Sequence, residues 1–171
     1  MKKLLLLPLI AFSFVATAQT TAIPDANFEQ ALINLGLDNV IDGGVLTANI
    51  NTVLTLDVSY KGISDLTGIE DFTASSYLFC QGNQLTNIDV SQNINLISLD
   101  CRYNQLTTLD VSQNTALTDL GCGYNQLTTL DVSQNTTLDI LFCDENQLIC
   151  LNVANGNNSN FTSFYATVNP N

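Results

Sequence analysis

The chain contains no histidine and no tryptophan, and it carries only four cations, Lys2, Lys3, Lys61 and Arg102. Without histidine it lacks the usual general base near neutral pH and the commonest transition-metal ligand. No catalytic residue, metal ligand or cofactor site is therefore expected. Two of the four cations sit in the first three residues. Beyond them, two cations face sixteen carboxylates, a net charge of −14. Such a charge makes nucleic acid a poor partner and basic molecules good ones. Long apolar runs are equally scarce. The one present, Leu4–Val15, is too short to span a bilayer of roughly 30 Å as a helix. It follows Met1-Lys2-Lys3 and precedes the small-x-small triplet Ala16-Thr17-Ala18. Basic start, apolar run and small cleavage site are the features of a secretory signal peptide. Residues 1–18 are expected to be removed on export. The mature chain then begins near Gln19 and has no segment for membrane insertion.

What the chain has in abundance is repetition. Asn104–Thr115, NQLTTLDVSQNT, recurs letter for letter at Asn125–Thr136, and a looser copy occupies Asn83–Ile94. The step is 21 residues. A fixed period of this size means stacked coils, each too small to bury a core alone. Coil one has Val53, Leu56, Val58 and Ile63, then Leu66, Ile69 and Phe72 at steps of three, which read as 3₁₀ or loose helix. Coil two has Leu78, Cys80, Asn83 and Leu85, with Ser75 where a leucine is expected. Coil three is complete, with Leu96, Leu99, Cys101, Asn104 and Leu106. Coil four repeats it with Leu117, Leu120, Cys122, Asn125 and Leu127, and coil five with Leu138, Leu141, Cys143, Asn146 and Leu148. After the Asn-rich run 152–160, Phe161-x-x-Phe164-x-Ala166-x-x-Asn169 opens a sixth coil that stops without a second half. A longer chain, or a cover over this end, is expected.

Each later coil holds a nested half-repeat. Leu99-x-Cys101-x-x-Asn104 is echoed by Leu109-x-Val111-x-x-Asn114, and coil four does the same. Both halves alternate apolar and polar residues, as half-buried strands do. A strand on each face of coils two to four is expected, giving a flattened, weakly curved solenoid. Ahead of the coils, residues 19–52 read as a cap. Asp25 is placed to cap a helix over about 25–35, with Phe28, Ala31, Leu32 and Leu35 on one apolar side and Gly36 beyond its end. Asp38–Gly44 reads as a glycine turn. Its calcium-loop alternative has Val40 at a ligand position and no late Glu.

The pattern L-x-x-L-x-L-x-x-N-x-L, with Cys at its third apolar position, resembles the leucine-rich repeat family in its secreted bacterial form. Coil one and its 22-residue step are similar to internalin-type repeats. The resemblance covers Val53–Asn169. It implies a mainly β, right-handed solenoid over residues 53–171 with a short N-terminal capping helix. It also implies secretion or display on a bacterial surface, and protein binding through the first strand face.

The invariant positions are scaffold. Asn83, Asn104, Asn125 and Asn146 follow the strand, where the chain turns inward. An amide can donate and accept there, coil after coil. Cys80, Cys101, Cys122 and Cys143 share an inward column that also accepts Val58 and Ala166, so it asks for a small apolar group. Buried free thiols are the expected state, with disulfides or a metal as the alternatives; Cys150 is off the column. Asp89, Asp110 and Asp131 form an outward ridge, read as solvated rather than calcium-bound.

Function is expected where the repeats differ. The outward positions of the first-face strands change at every coil, and Phe79, Arg102, Tyr103, Tyr124 and Phe142 make a candidate binding face. Aromatics and Arg dominate interaction hot spots. The first reading is a module that grips a protein or cell-surface glycan for adhesion or recognition. The alternative is a spacer or stalk in a larger surface protein, without a ligand of its own. Nothing in the sequence fixes the oligomeric state.

Overall fold

The computed structural model describes residues 18–156 and 161–169. The expected signal peptide lies outside the described residues except for Ala18, as do residues 157–160 of the Asn-rich run.

The coils stack through one parallel sheet. Strands β3 (Thr55–Asp57), β4 (Tyr77–Phe79), β5 (Ser98–Asp100) and β6 (Asp119–Gly121) pair in chain order, followed by β8 (Ile140–Phe142) and β10 (Ser163–Tyr165). Each strand is three residues long, with its middle side chain pointing in. Leu56, Leu78, Leu99, Leu120, Leu141 and Phe164 therefore fall in one row. The first five are buried, whereas Phe164 at the end of the stack is 45% exposed. The sixth coil read from the Phe161 template is thus present as β10. Leu96, Cys101, Leu106, Leu109 and Val111 complete the buried core of coil three, and coil four repeats them. Ser75, standing where a leucine was expected, is buried and donates its hydroxyl to the Val53 carbonyl at 3.0 Å. The return limb of coil one holds a 3₁₀ turn, Ile69–Asp71.

The second face departs from expectation. Strands there occur in coil four, β7 (Thr129–Asp131), and in coil five, β9 (Cys150–Asn152), and these two pair in parallel. Among the described residues coils two and three have none. Charge offers a physical reason: Asp89, Asp110 and Asp131 recur at the 21-residue step, and like charges directly opposite destabilise a strand pair. Where Asn152 replaces the next aspartate, its amide donates to Asp131 Oδ2 at 3.1 Å and the two limbs close. Elsewhere the limbs stay apart around a groove of about 700 Å³, lined by Ile88, Thr108, Leu109, Asp110, Thr129 and Asp131 among others.

The N-terminal segment is tied down by two carboxylates. Helix α1 (Ala26–Asn34) begins at Asp25, whose Oδ1 accepts from the Asn27 and Phe28 amides. Asp25 Oδ2 accepts from the Ser64 amide and hydroxyl and from the Asp65 amide, so one side chain caps the helix and the turn of coil one together. Partial burial pushes this carboxyl up, but the donors from Ser64, Phe28 and Asp65 outweigh it and hold it below its usual value. Phe28 packs on Phe72 of coil one, ring centres 6.2 Å apart. Two elements were not anticipated: β1 (Thr20–Ala22) pairs antiparallel with β2 (Gly44–Leu46), and a short helix α2 (Thr47–Ile50) follows. The turn before β2 wraps an anion supplied by α1. Glu29, 1% exposed, accepts at Oε1 from the amides of Asp42, Gly43 and Gly44 at 2.8–3.0 Å.

Candidate functional site: the first sheet face and its corner

After each first-face strand the chain must turn sharply inward, and it does so through one left-handed residue. These are Tyr60, Gly82, Tyr103, Tyr124, Glu145 and Val168, with φ between 52° and 69°. Glycine enters this region freely, while other residues pay roughly 1–2 kcal/mol for it. The kink aims the next residue's side chain into the coil. That residue is Asn83, Asn104, Asn125, Asn146 or Asn169; in coil one it is Lys61, whose side chain is exposed instead.

The ladder asparagines use both ends of their amides. Oδ1 of Asn104, Asn125 and Asn146 accepts from the amides of Leu85, Leu106 and Leu127 in the preceding coil, at 2.9–3.0 Å. Their Nδ2 atoms donate to the Cys carbonyl of their own coil and to that of the coil before. Asn83 serves a differently shaped coil one, accepting from both Lys61 and Ile63. A second ladder at the opposite corner, Asn93, Asn114 and Asn135, also donates backward to carbonyls, but its fully buried Oδ1 atoms meet no donor.

The column cysteines are free thiols buried under the first face. Cys80 and Cys101 donate to the carbonyls of Asp100 and Gly121. Burial, more than any neighbouring charge, pushes the thiols of Cys101 and Cys143 up to about 12 and those of Cys80 and Cys122 well above their ordinary value. They stay protonated and unreactive at any ordinary pH.

On the outside, the five candidate residues share one face and form two clusters. Tyr103 and Tyr124, 47% and 41% exposed, stack with ring centres 4.3 Å apart and planes within 16°. The nearby Tyr103 phenol first, then burial, and then the carboxylates of Glu145 and Asp144 raise the Tyr124 hydroxyl above its usual value. The second cluster is a notch of about 160 Å³ over Gly121, lined by Phe79, Asp100, Arg102, Asp119, Ile140 and Phe142 among others. Phe79 and Phe142 are half-buried there, not exposed as the sequence implied. Arg102 crosses the glycine to reach Phe142, its guanidinium carbon 5.7 Å from the ring centre. A Cβ on residue 121 would lie 3.1 Å from the Arg102 Nε, so the missing side chain is what lets the arginine pass. Asp100 grips the guanidinium at both oxygens, 2.9 and 2.6 Å away, and this pairing raises its proton affinity further.

Three aromatics of the first face stand outside the five candidates: Tyr77 of β4, which is 40% exposed, Tyr165 and Tyr60. Tyr165 of β10 stacks on Phe142 at 5.1 Å. It would have been found by carrying the list of outward positions into the sixth coil. Tyr60 lies across Gly82, where a Cβ would come within 2.2 Å of its ring. No sequence signal marks that contact. Among the described residues no group of three or more acidic or thiol side chains is placed to hold a metal, and none of the helices is long and apolar enough to cross a membrane.

Stacked 21-residue coils, a parallel sheet on one face and an asparagine ladder at its corner define a leucine-rich repeat solenoid. No protein-family model matches the chain, and no curated protein does. Solved structures do. The functional domain of InlJ from Listeria monocytogenes, described as including a cysteine ladder, superposes with a TM-score of 0.80 at 36% identity over 91% of this chain and 35% of that one. A leucine-rich repeat protein of Leptospira interrogans matches with a TM-score of 0.58 at 25% identity, over 60% of this chain and 28% of the other. The internalin InlF of Listeria monocytogenes matches in fold, with a TM-score of 0.62 at 20% identity over 74% and 45%. The chain belongs to the leucine-rich repeat family, in its internalin-like form. It spans about a third of the InlJ domain's length.

Proposed function

We propose that this protein is an exported, cell-surface interaction module that binds a protein through the first sheet face and its tyrosine corner. The observation that carries this reading is a stacked tyrosine pair at the surface. Tyr103 and Tyr124 hold corner positions that other coils fill with Gly82, Glu145 or Val168, so the turn does not require an aromatic, and their rings remain 47% and 41% exposed. Exposed aromatics beyond what the turn needs mark interaction surfaces. The half-buried Phe79 and Phe142, with Arg102 between them, extend the patch into a rigid platform. The uniform scaffold presents this platform, and no enzymatic role is assigned to it.

The spacer reading draws on the same half-burial, since rings that fill the face offer less to a ligand. The two separate in a capture experiment from the outer surface of native cells. The mature chain is expected to retain a protein partner, and Tyr103→Ser/Tyr124→Ser to lose it. Capture by neither chain would favour the spacer, and equal capture by both would move binding away from the tyrosine corner. Capture abolished by deglycosylating the cells would make the ligand a glycan.

A further inference from the structure

We propose that the tyrosine corner takes a positively charged peptide segment, with Tyr103, Tyr124, Asp144 and Glu145 receiving its Lys or Arg side chains. This inference rests on the protein-binding reading of the same face and names the chemistry of the partner.

The first observation is charge balance on the face. Its outward carboxylates are Asp57, Asp100, Asp119, Asp144 and Glu145. Three are already engaged. Asp57 accepts from the Ser59 amide and hydroxyl, Asp100 holds Arg102, and Asp119 accepts from the Thr118 hydroxyl. Among the described residues, the carboxylates of Asp144 and Glu145 meet no donor and no cation, and the Arg102–Asp100 pair is the only ion pair.

The second observation is where those two free carboxylates stand. Glu145 occupies the same left-handed corner position as Tyr124, one coil on, and its carbonyl accepts from the Asn125 amide beside that tyrosine. Asp144 lies over Gly123, where a Cβ would come within 2.8 Å of its Oδ1. The corner thus runs from a stacked aromatic pair directly into two unpaired anions. An aromatic face attracts a cation through its ring quadrupole, and adjacent carboxylates add ion pairs to the same guest. The face's only guanidinium is neutralised by Asp100, so it does not oppose such a guest. The overall charge of −12 draws basic molecules in from a distance.

The test is calorimetric titration of the mature chain with three decapeptides of alternating glycine, carrying Arg, Ser or Glu at the other positions. The Arg peptide is expected to bind and the Ser and Glu peptides not to. Tyr103→Asn/Tyr124→Asn and, separately, Asp144→Asn/Glu145→Gln should each weaken the Arg peptide about tenfold or more. Asparagine tolerates the left-handed backbone, so the first variant keeps its fold, and circular dichroism checks this. Asp89→Asn/Asp110→Asn/Asp131→Asn removes more charge from the other face and should change binding less than about twofold. Equal loss in that triple variant would overturn the site in favour of diffuse attraction. Failure of the Arg peptide to bind, while Tyr103→Ser/Tyr124→Ser still abolishes cell-surface capture, would overturn the inference and leave the protein-binding reading. Failure of both would sink both.

Discussion

The two faces of the solenoid are built from half-repeats of nearly the same sequence, yet they differ in order and in content. The first is a continuous six-stranded sheet whose outward residues change at every coil. The second repeats Thr, Asp, Ser and Gln almost unchanged, and its strands pair only between coils four and five. Their ladders differ in parallel. The first-face asparagines use both ends of the amide, while the second-face ones leave Oδ1 bare. Variation is therefore carried by the face that is held best. A rigid, fully bonded backbone can present changing side chains, because none of them is needed to hold it together.

The sharpest contrast is in the thiols. Iodoacetamide at pH 8 should label Cys150 on the exposed second face and spare the four column cysteines by a factor on the order of a thousand. All five should label after denaturation, as read by mass spectrometry. Native labelling of Cys101 would mean that the first face opens readily.

Next comes the ladder comparison. Asn125→Ala removes an acceptor and several donors from buried backbone and should cost about 3–5 kcal/mol in urea unfolding. Asn114→Ala loses donors only and should cost about 1–2 kcal/mol. Equal losses would erase the distinction between the corners.

Outside both faces, Asp25→Ala should cost about 2–3 kcal/mol at pH 7, since a helix cap and the coil-one turn go together. The Asp25 carboxyl sits below its usual value, so its contribution is complete above the ordinary carboxyl range. It disappears as pH falls through the lowered folded value. The variant's stability should accordingly change less than the parent's on acidification.

A smaller effect is expected at the corner. Tyr124→Gly removes backbone strain and one aromatic stack, so unfolding should shift by no more than about 1 kcal/mol while capture on cells falls. The smallest effect belongs to Asp110→Asn. Asparagine keeps the acceptor for the Ser112 amide, and stability should move by less than about 0.5 kcal/mol. Hydrogen exchange at residues 88–90 and 109–111 should nevertheless slow, because the repulsion that keeps those limbs apart is relieved. Unchanged exchange would mean that charge is not what spaces the second face.

The coils, the helix after Asp25 and the first asparagine ladder could all be read from the chain, because each depends on a local pattern repeated at a fixed step. The second-face strands could not be placed correctly. Their pairing depends on contacts between neighbouring coils, such as Asn152 against Asp131, that no single coil's pattern displays. Glu29 was likewise invisible as the anchor of the Asp42–Gly44 turn, since it looks like an ordinary exposed helix residue in sequence. That Phe79, Arg102, Tyr103, Tyr124 and Phe142 point outward could be read from the repeat, but how they are organised among themselves could not. Which side chains stack, and which charges are already spent on each other, depends on glycines at 82, 121 and 123 that make room for neighbours from adjacent coils.

The backward reach of the ladder amides gives the stack a direction in time. Every ladder asparagine from Asn83 to Asn169 completes the coil before it, never the coil after. A chain that emerges N-terminus first therefore leaves each turn with open amides and carbonyls until the matching asparagine of the next turn arrives. In such a chain each turn is fully bonded only once the next has formed, and the N-terminal helix with its two carboxylate anchors closes the end that no asparagine completes.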